Sequence, residues 1–81
     1  MLAEAAWIYF VHHDYQKCID LNRKALLLSD SSEPEKIQSD IGLALLKNGQ
    51  VDDAIAQLES TIKQFPSHVD SYINLGLCFK A

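Results

Sequence analysis

Eighty-one residues with 7 Lys+Arg against 11 Asp+Glu leave room for one small domain carrying a net charge of −4. That balance weighs against a sequence-independent grip on nucleic acid, which needs a cationic surface. Apolar residues make up 48% and charged ones 22%, with only 3 Gly and 2 Pro, so a disordered chain and a turn-rich β-sandwich both fit poorly, whereas long helices are easy.

The first helix is expected near 2–12. Its apolar run, Ala5 to Val11, follows Glu4 without a basic leader and is far shorter than the roughly 20 residues a membrane span needs. The expectation is therefore an intracellular, cytoplasmic chain with no membrane partner. His12-His13 ends the helix. Adjacent helical residues point about 100° apart, so the pair cannot chelate from one face. No Cys or acidic residue stands at a metal-ligand spacing from it either. A solvated helix end, where a protonated imidazole is favoured by the helix dipole, is the expected role.

Asp14 offers an N-cap acceptor for a second helix near 15–28. Tyr15, Cys18, Ile19 and Leu26 recur there on one face, with Asn22 the polar exception. The connection Ser29-Asp30-Ser31-Ser32 reads as a solvated linker, and Ser32-Glu33-Pro34-Glu35 as a capping box opening a third helix near 33–47. Phosphorylation of Ser32 would place negative charge at that helix start. Gly49 is expected in the left-handed conformation that ends the third helix. Val51, Ala54, Ile55, Leu58 and Ile62 then share one face of a fourth helix near 51–64. Pro66 closes it, and Ser67-His68-Val69-Asp70 opens a fifth near 68–80, with His68 in its first turn.

The segments repeat. Gln38, Ile41, Gly42 and Leu45 reappear 34 residues on as Tyr72, Leu75, Gly76 and Phe79. Tyr15, Cys18, Ile19, Ala25 and Leu26 reappear 36 residues on as Val51, Ala54, Ile55, Thr61 and Ile62. A mid-helix glycine costs about 1 kcal/mol against alanine, so Gly42 and Gly76 each predict a close helix–helix approach. Ala6, Cys18 and Ala54 are small in equivalent packing slots, and Leu45, Phe79 and Tyr9 are expected to fill the space between paired helices.

The middle unit, Gln38-x-x-Ile41-Gly42-x-x-Leu45 followed by Ala54, Leu58 and Pro66, resembles a tetratricopeptide repeat. Tyr72-x-x-Leu75-Gly76-x-x-Phe79 resembles the start of another. The first unit departs from the pattern, with Ala5-Ala6 in place of Leu-Gly, Asn22 in place of an apolar residue and Asp30 where Pro would stand. The resemblance implies an all-α fold of five helices, in antiparallel pairs stacked as a short right-handed solenoid. Its units would be a degenerate pair over 1–30, a second pair over 31–66 and the first helix of a third repeat over 67–81. Such a count stops mid-repeat, which implies a length cut from a longer solenoid whose open ends self-associate.

The resemblance further implies a concave groove lined by the first helix of each pair. Its slots hold Ala3, Trp7, Phe10 and Val11, then Ser39, Leu43, Leu46 and Lys47, then Ile73, Leu77 and Lys80. Six of the eleven are large and apolar, too apolar for an idle solvent face. Binding of acidic peptide tails through a two-carboxylate clamp is disfavoured, because Ala3 and Trp7 stand where that clamp has Lys and Asn, and Asp70 where it has Lys. A protein partner offering an amphipathic helix or an extended apolar peptide fits better. The alternatives are an RNA-binding pentatricopeptide-like array, against which the charge argues, and a purely structural spacer or oligomerisation segment.

No chemistry competes with this reading. Phosphate loops, serine-centred elbows and paired-carboxylate motifs do not occur, so neither catalytic residues nor a cofactor or metal is expected. Cys18 and Cys78, sixty residues apart, read as small buried hydrophobes in a reduced chain.

Overall fold

The computed structural model describes residues 2–28 and 33–80, with side chains from Ala5 onward. The Ser29–Ser32 connection, with its proposed phosphosite, and the side chain of Ala3 lie outside the described residues. Those residues form five helices and no strand: α1 (Leu2–Val11), α2 (Tyr15–Leu27), α3 (Pro34–Lys47), α4 (Val51–Gln64) and α5 (Val69–Lys80).

The helix ends have local causes. α1 stops because His13 takes φ 64°, the left-handed region a side chain rarely visits. The Asp14 amide then donates to the Tyr9 carbonyl at 2.9 Å and the His13 amide to Phe10 at 3.0 Å, the paired bonds of a Schellman turn. α3 ends the same way 36 residues later. Gly49 takes φ 83°, the Gln50 amide reaches Leu45 at 2.9 Å and the Gly49 amide reaches Leu46 at 3.1 Å. Glycine does this without strain and histidine does not.

Asp14 caps α2, its carboxylate accepting from the Lys17 amide at 3.4 Å. At α3 the cap falls on Glu33 rather than Ser32, one residue later than the capping-box reading. Pro34, lacking an N–H, occupies the first turn, where no intrahelical donor is needed. His68 likewise precedes α5 instead of joining its first turn, with Nδ1 2.8 Å from the Ser71 hydroxyl.

Each helix packs on the next, and α5 also touches α3. The core joins Ala6 of α1, Cys18, Ile19 and Ala25 of α2, Ile37, Ile41, Ala44 and Leu45 of α3, Ala54 and Leu58 of α4, and Cys78 of α5. Alanines at 6, 25, 44 and 54 let neighbouring backbones approach. Polar ties cross the helices. The Thr61 hydroxyl, fully buried, lies 2.8 Å from the Gln57 carbonyl and 3.1 Å from Gln38 Oε1, while Gln38 Nε2 donates to Gln64 Oε1 at 3.0 Å. Asn74 Nδ2 donates to Ser39 Oγ at 2.9 Å, fastening α5 to α3.

Two packing expectations change at α5. A Cβ on Gly42 would lie 2.6 Å from both Cγ and Cδ2 of Leu58, whereas one on Gly76 would meet nothing within 4 Å. Phe79 is likewise 66% exposed and fills no interhelical space, although its counterpart Leu45 is buried. The physical reason is the neighbour: α4 lies across Gly42, and no described helix lies across Gly76.

Candidate functional site

A concavity lies where α1, α2 and α3 meet. Trp7, Phe10, Cys18, Asn22, Asp40 and Leu43 line a cavity of about 10 Å³, room for one water molecule. Trp7 and Phe10 stack along one side of α1, their rings 5.1 Å apart and only 10° from parallel, as their three-residue spacing on a helix permits. Phe10 is held in turn by the edge of Tyr15, at 5.4 Å and 69°. The Tyr15 hydroxyl meets His13 Nδ1 at 2.6 Å. The left-handed turn at His13 thus ends the helix and, through Tyr15, braces the aromatic pair.

The polar side of the cavity is less expected. Asn22 is only 2% exposed, and its Nδ2 donates to Cys18 Sγ at 3.5 Å. Burial pushes the Asp40 carboxyl above its usual range, and Asp70 adds to this, while Lys36 and His68 pull it down. The Cys18 thiol is pushed up to about 11, first by burial and then by the neighbouring Asp40 charge. Burial raises the Cys78 thiol too. A thiol held neutral in this way packs and does not attack.

The cavity brings together three of the expected groove residues. Trp7, Phe10 and Leu43 share the cavity. Leu46 is half-buried against the core beside it, and Lys47 is exposed at the end of α3. Ile73, Leu77 and Lys80 sit on α5, exposed and outside the cavity. Ser39 is buried under Asn74 instead of lining a groove, and Val11 is exposed at the end of α1. Among the packing residues, Ala6, Cys18, Gly42 and Ala54 are buried and Gly76 is exposed.

Asn22 and Asp40 were missing from the expected site. Asn22 carried a signal, a polar side chain interrupting an apolar row. Asp40 carried another, standing three residues before Leu43 and so on the same helical face. Among the described residues no three His, Cys, Asp or Glu side chains gather as a metal would require, and no helix is long and apolar enough to cross a membrane. The chain matches no family model, no curated protein and no solved structure.

Proposed function

We propose that this chain is a non-catalytic, tetratricopeptide-like helical-repeat module that binds a protein partner through exposed apolar side chains of α1 and α5 together with the half-buried Leu43 of α3. The observation that carries the reading is exposure. Trp7 and Ile73 are each 55% exposed and Leu77 remains open to solvent, although Ala6 of α1 and Cys78 of α5 join the core. Large apolar groups left outside mark an interaction surface, and aromatic and aliphatic anchors supply most of the affinity of such surfaces. The repeat reading is supported by the matching Schellman turns at His13 and Gly49, 36 residues apart.

Selection of a random peptide library against the folded chain tests the binding role. Apolar sequences should be enriched, and Leu43→Glu combined with Leu77→Glu should abolish their capture while circular dichroism still reports helix. Failure to enrich any sequence, or capture that survives in the folded double variant, refutes it. Exposed Tyr72, Ile73 and Phe79 on α5 favour a second use of the same surface, self-association, which sedimentation velocity across protein concentration would detect.

A further inference from the structure

We propose that the cavity between α1, α2 and α3 receives the guanidinium of an arginine side chain from the bound partner. The assignment deepens the peptide-binding reading by naming a chemistry for the partner, and it rests on that reading only in placing the arginine on a partner protein.

Asp40 is the centre of the argument. Its carboxylate is drawn partly out of water yet has no hydrogen bond or ion pair among the described residues, and its oxygens keep contact with the cavity and solvent. The nearby cations, Lys36 on its own helix and His68 before α5, act on it only at longer range, and Asp70 adds a second negative charge. A partly desolvated, unpaired carboxylate is stabilised by an incoming cation more than an exposed one is.

The other walls select among cations. Asn22 is nearly fully buried, reaches the cavity, and spends its amide nitrogen on Cys18. Its Oδ1 therefore remains as an acceptor on a residue that lines the same cavity as Asp40. Trp7 and Phe10 also line the cavity, and aromatic rings attract a cation, a planar guanidinium more readily than an ammonium. Two acceptors of this kind beside an aromatic face match the five-donor, planar guanidinium better than the compact, strongly hydrated ammonium of lysine. Unoccupied by a partner, the cavity holds only about one water. Trp7 is more than half exposed, so a group larger than water is admitted at the solvent side of the cavity, beside that ring. The chain's net charge of −4 draws cations towards it at long range.

Trp7 is the chain's one tryptophan, so its fluorescence reports on the cavity directly. The folded protein is titrated at constant ionic strength with N-acetyl-arginine methylamide, and in parallel with its lysine and citrulline counterparts, citrulline being a neutral isostere. A saturable change with arginine is expected, weaker by about tenfold or more with citrulline, as loss of a charge-assisted bond implies. Lysine should bind more weakly than arginine. Asp40→Asn should lose the response by a similar factor, with its fold checked by circular dichroism, while Asp53→Asn, at an exposed position of α4, should keep it. No saturation with arginine, equal binding of lysine or citrulline, an unaffected Asp40→Asn, or an equally impaired Asp53→Asn would overturn the assignment. The citrulline comparison uses the unaltered protein and holds even if Asp40→Asn unfolds. Arginine failing while Leu77-dependent peptides are still captured removes this assignment alone; arginine binding with no peptide captured removes the peptide-binding reading alone.

Discussion

Gly42 and Gly76 occupy the same position of the repeated pattern, yet replacing each with alanine should change stability in opposite directions. Both substitutions gain about 1 kcal/mol of helix propensity. At Gly76 nothing opposes the gain, because the added Cβ enters open space, so the variant should be more stable by about 1 kcal/mol. At Gly42 the Cβ would sit 2.6 Å from Cγ and Cδ2 of Leu58 and 3.2 Å from its Cδ1. Leu58 is fully buried, and Cγ is the branch point of its side chain, so no free end can swing aside. The helices must separate by some tenths of an ångström or Leu58 must leave its rotamer, an overpacking cost of about 1–3 kcal/mol. The net effect of Gly42→Ala is then between about 0 and 2 kcal/mol destabilising. The gap between the two variants isolates the steric cost, since propensity cancels. In a domain of this size each kcal/mol moves the melting temperature by roughly 4–8 °C, so thermal and urea melts followed by circular dichroism resolve the two. Equal stabilisation by both variants would refute the idea that Gly42 sets the α3–α4 spacing. Destabilisation at Gly76 as large as at Gly42 would mean that in solution another surface, such as a second copy of the chain, packs across α5.

Two further outcomes follow from the helix end and the cavity. At His13, with φ 64°, glycine should be more stable than the β-branched valine by about 1–2 kcal/mol, because only glycine adopts the left-handed turn without a Cβ penalty; equal melts of the two variants would show that the turn is not held in solution. Asp40→Asn should raise the melting temperature at neutral pH, and the difference should shrink as pH falls. The folded-state pKa of Asp40 is raised from its ordinary 3.8, so protonation favours the fold; that stabilisation is fully present below 3.8 and lost as pH rises through the folded value. The sign holds with Lys36, His68 and Asp70 facing the group, because burial is the largest influence and outweighs the two cations. A difference that widens on acidification would contradict it.

Helix positions were legible because they follow from local chemistry. Asp14, Pro34, Gly49 and the 3.6-residue apolar rows of α2 and α4 each act within one or two turns. His13 was not legible as a left-handed residue, since nothing local marks it as glycine marks position 49. Its conformation became visible only in the Asp14-to-Tyr9 bond that closes the turn. The cavity was half legible. Apolar spacing reached Trp7, Phe10 and Leu43, but Asn22 of α2 and Asp40 of α3 are polar, and only tertiary packing brings them against the aromatic pair of α1. Hydrophobic periodicity assigns a residue to a face and says nothing about which polar group a neighbouring helix sets opposite it.

The same distinction explains α5. Residues Tyr72, Leu75, Gly76 and Phe79 carry the pattern of Gln38, Ile41, Gly42 and Leu45, and that pattern encodes a helix with a seat for another helix. Whether the seat is filled depends on a second segment, and pattern identity cannot report it. On α3 the seat holds Leu58. On α5, Phe79 and 47%-exposed Tyr72 face solvent, with the Tyr72 hydroxyl turned back to the Pro66 carbonyl at 2.9 Å. A repeated motif is therefore evidence for the shape of each unit, while its energetic contribution is set by the neighbour. One glycine costs stability that packing offsets, and its counterpart costs stability with no described contact to offset it.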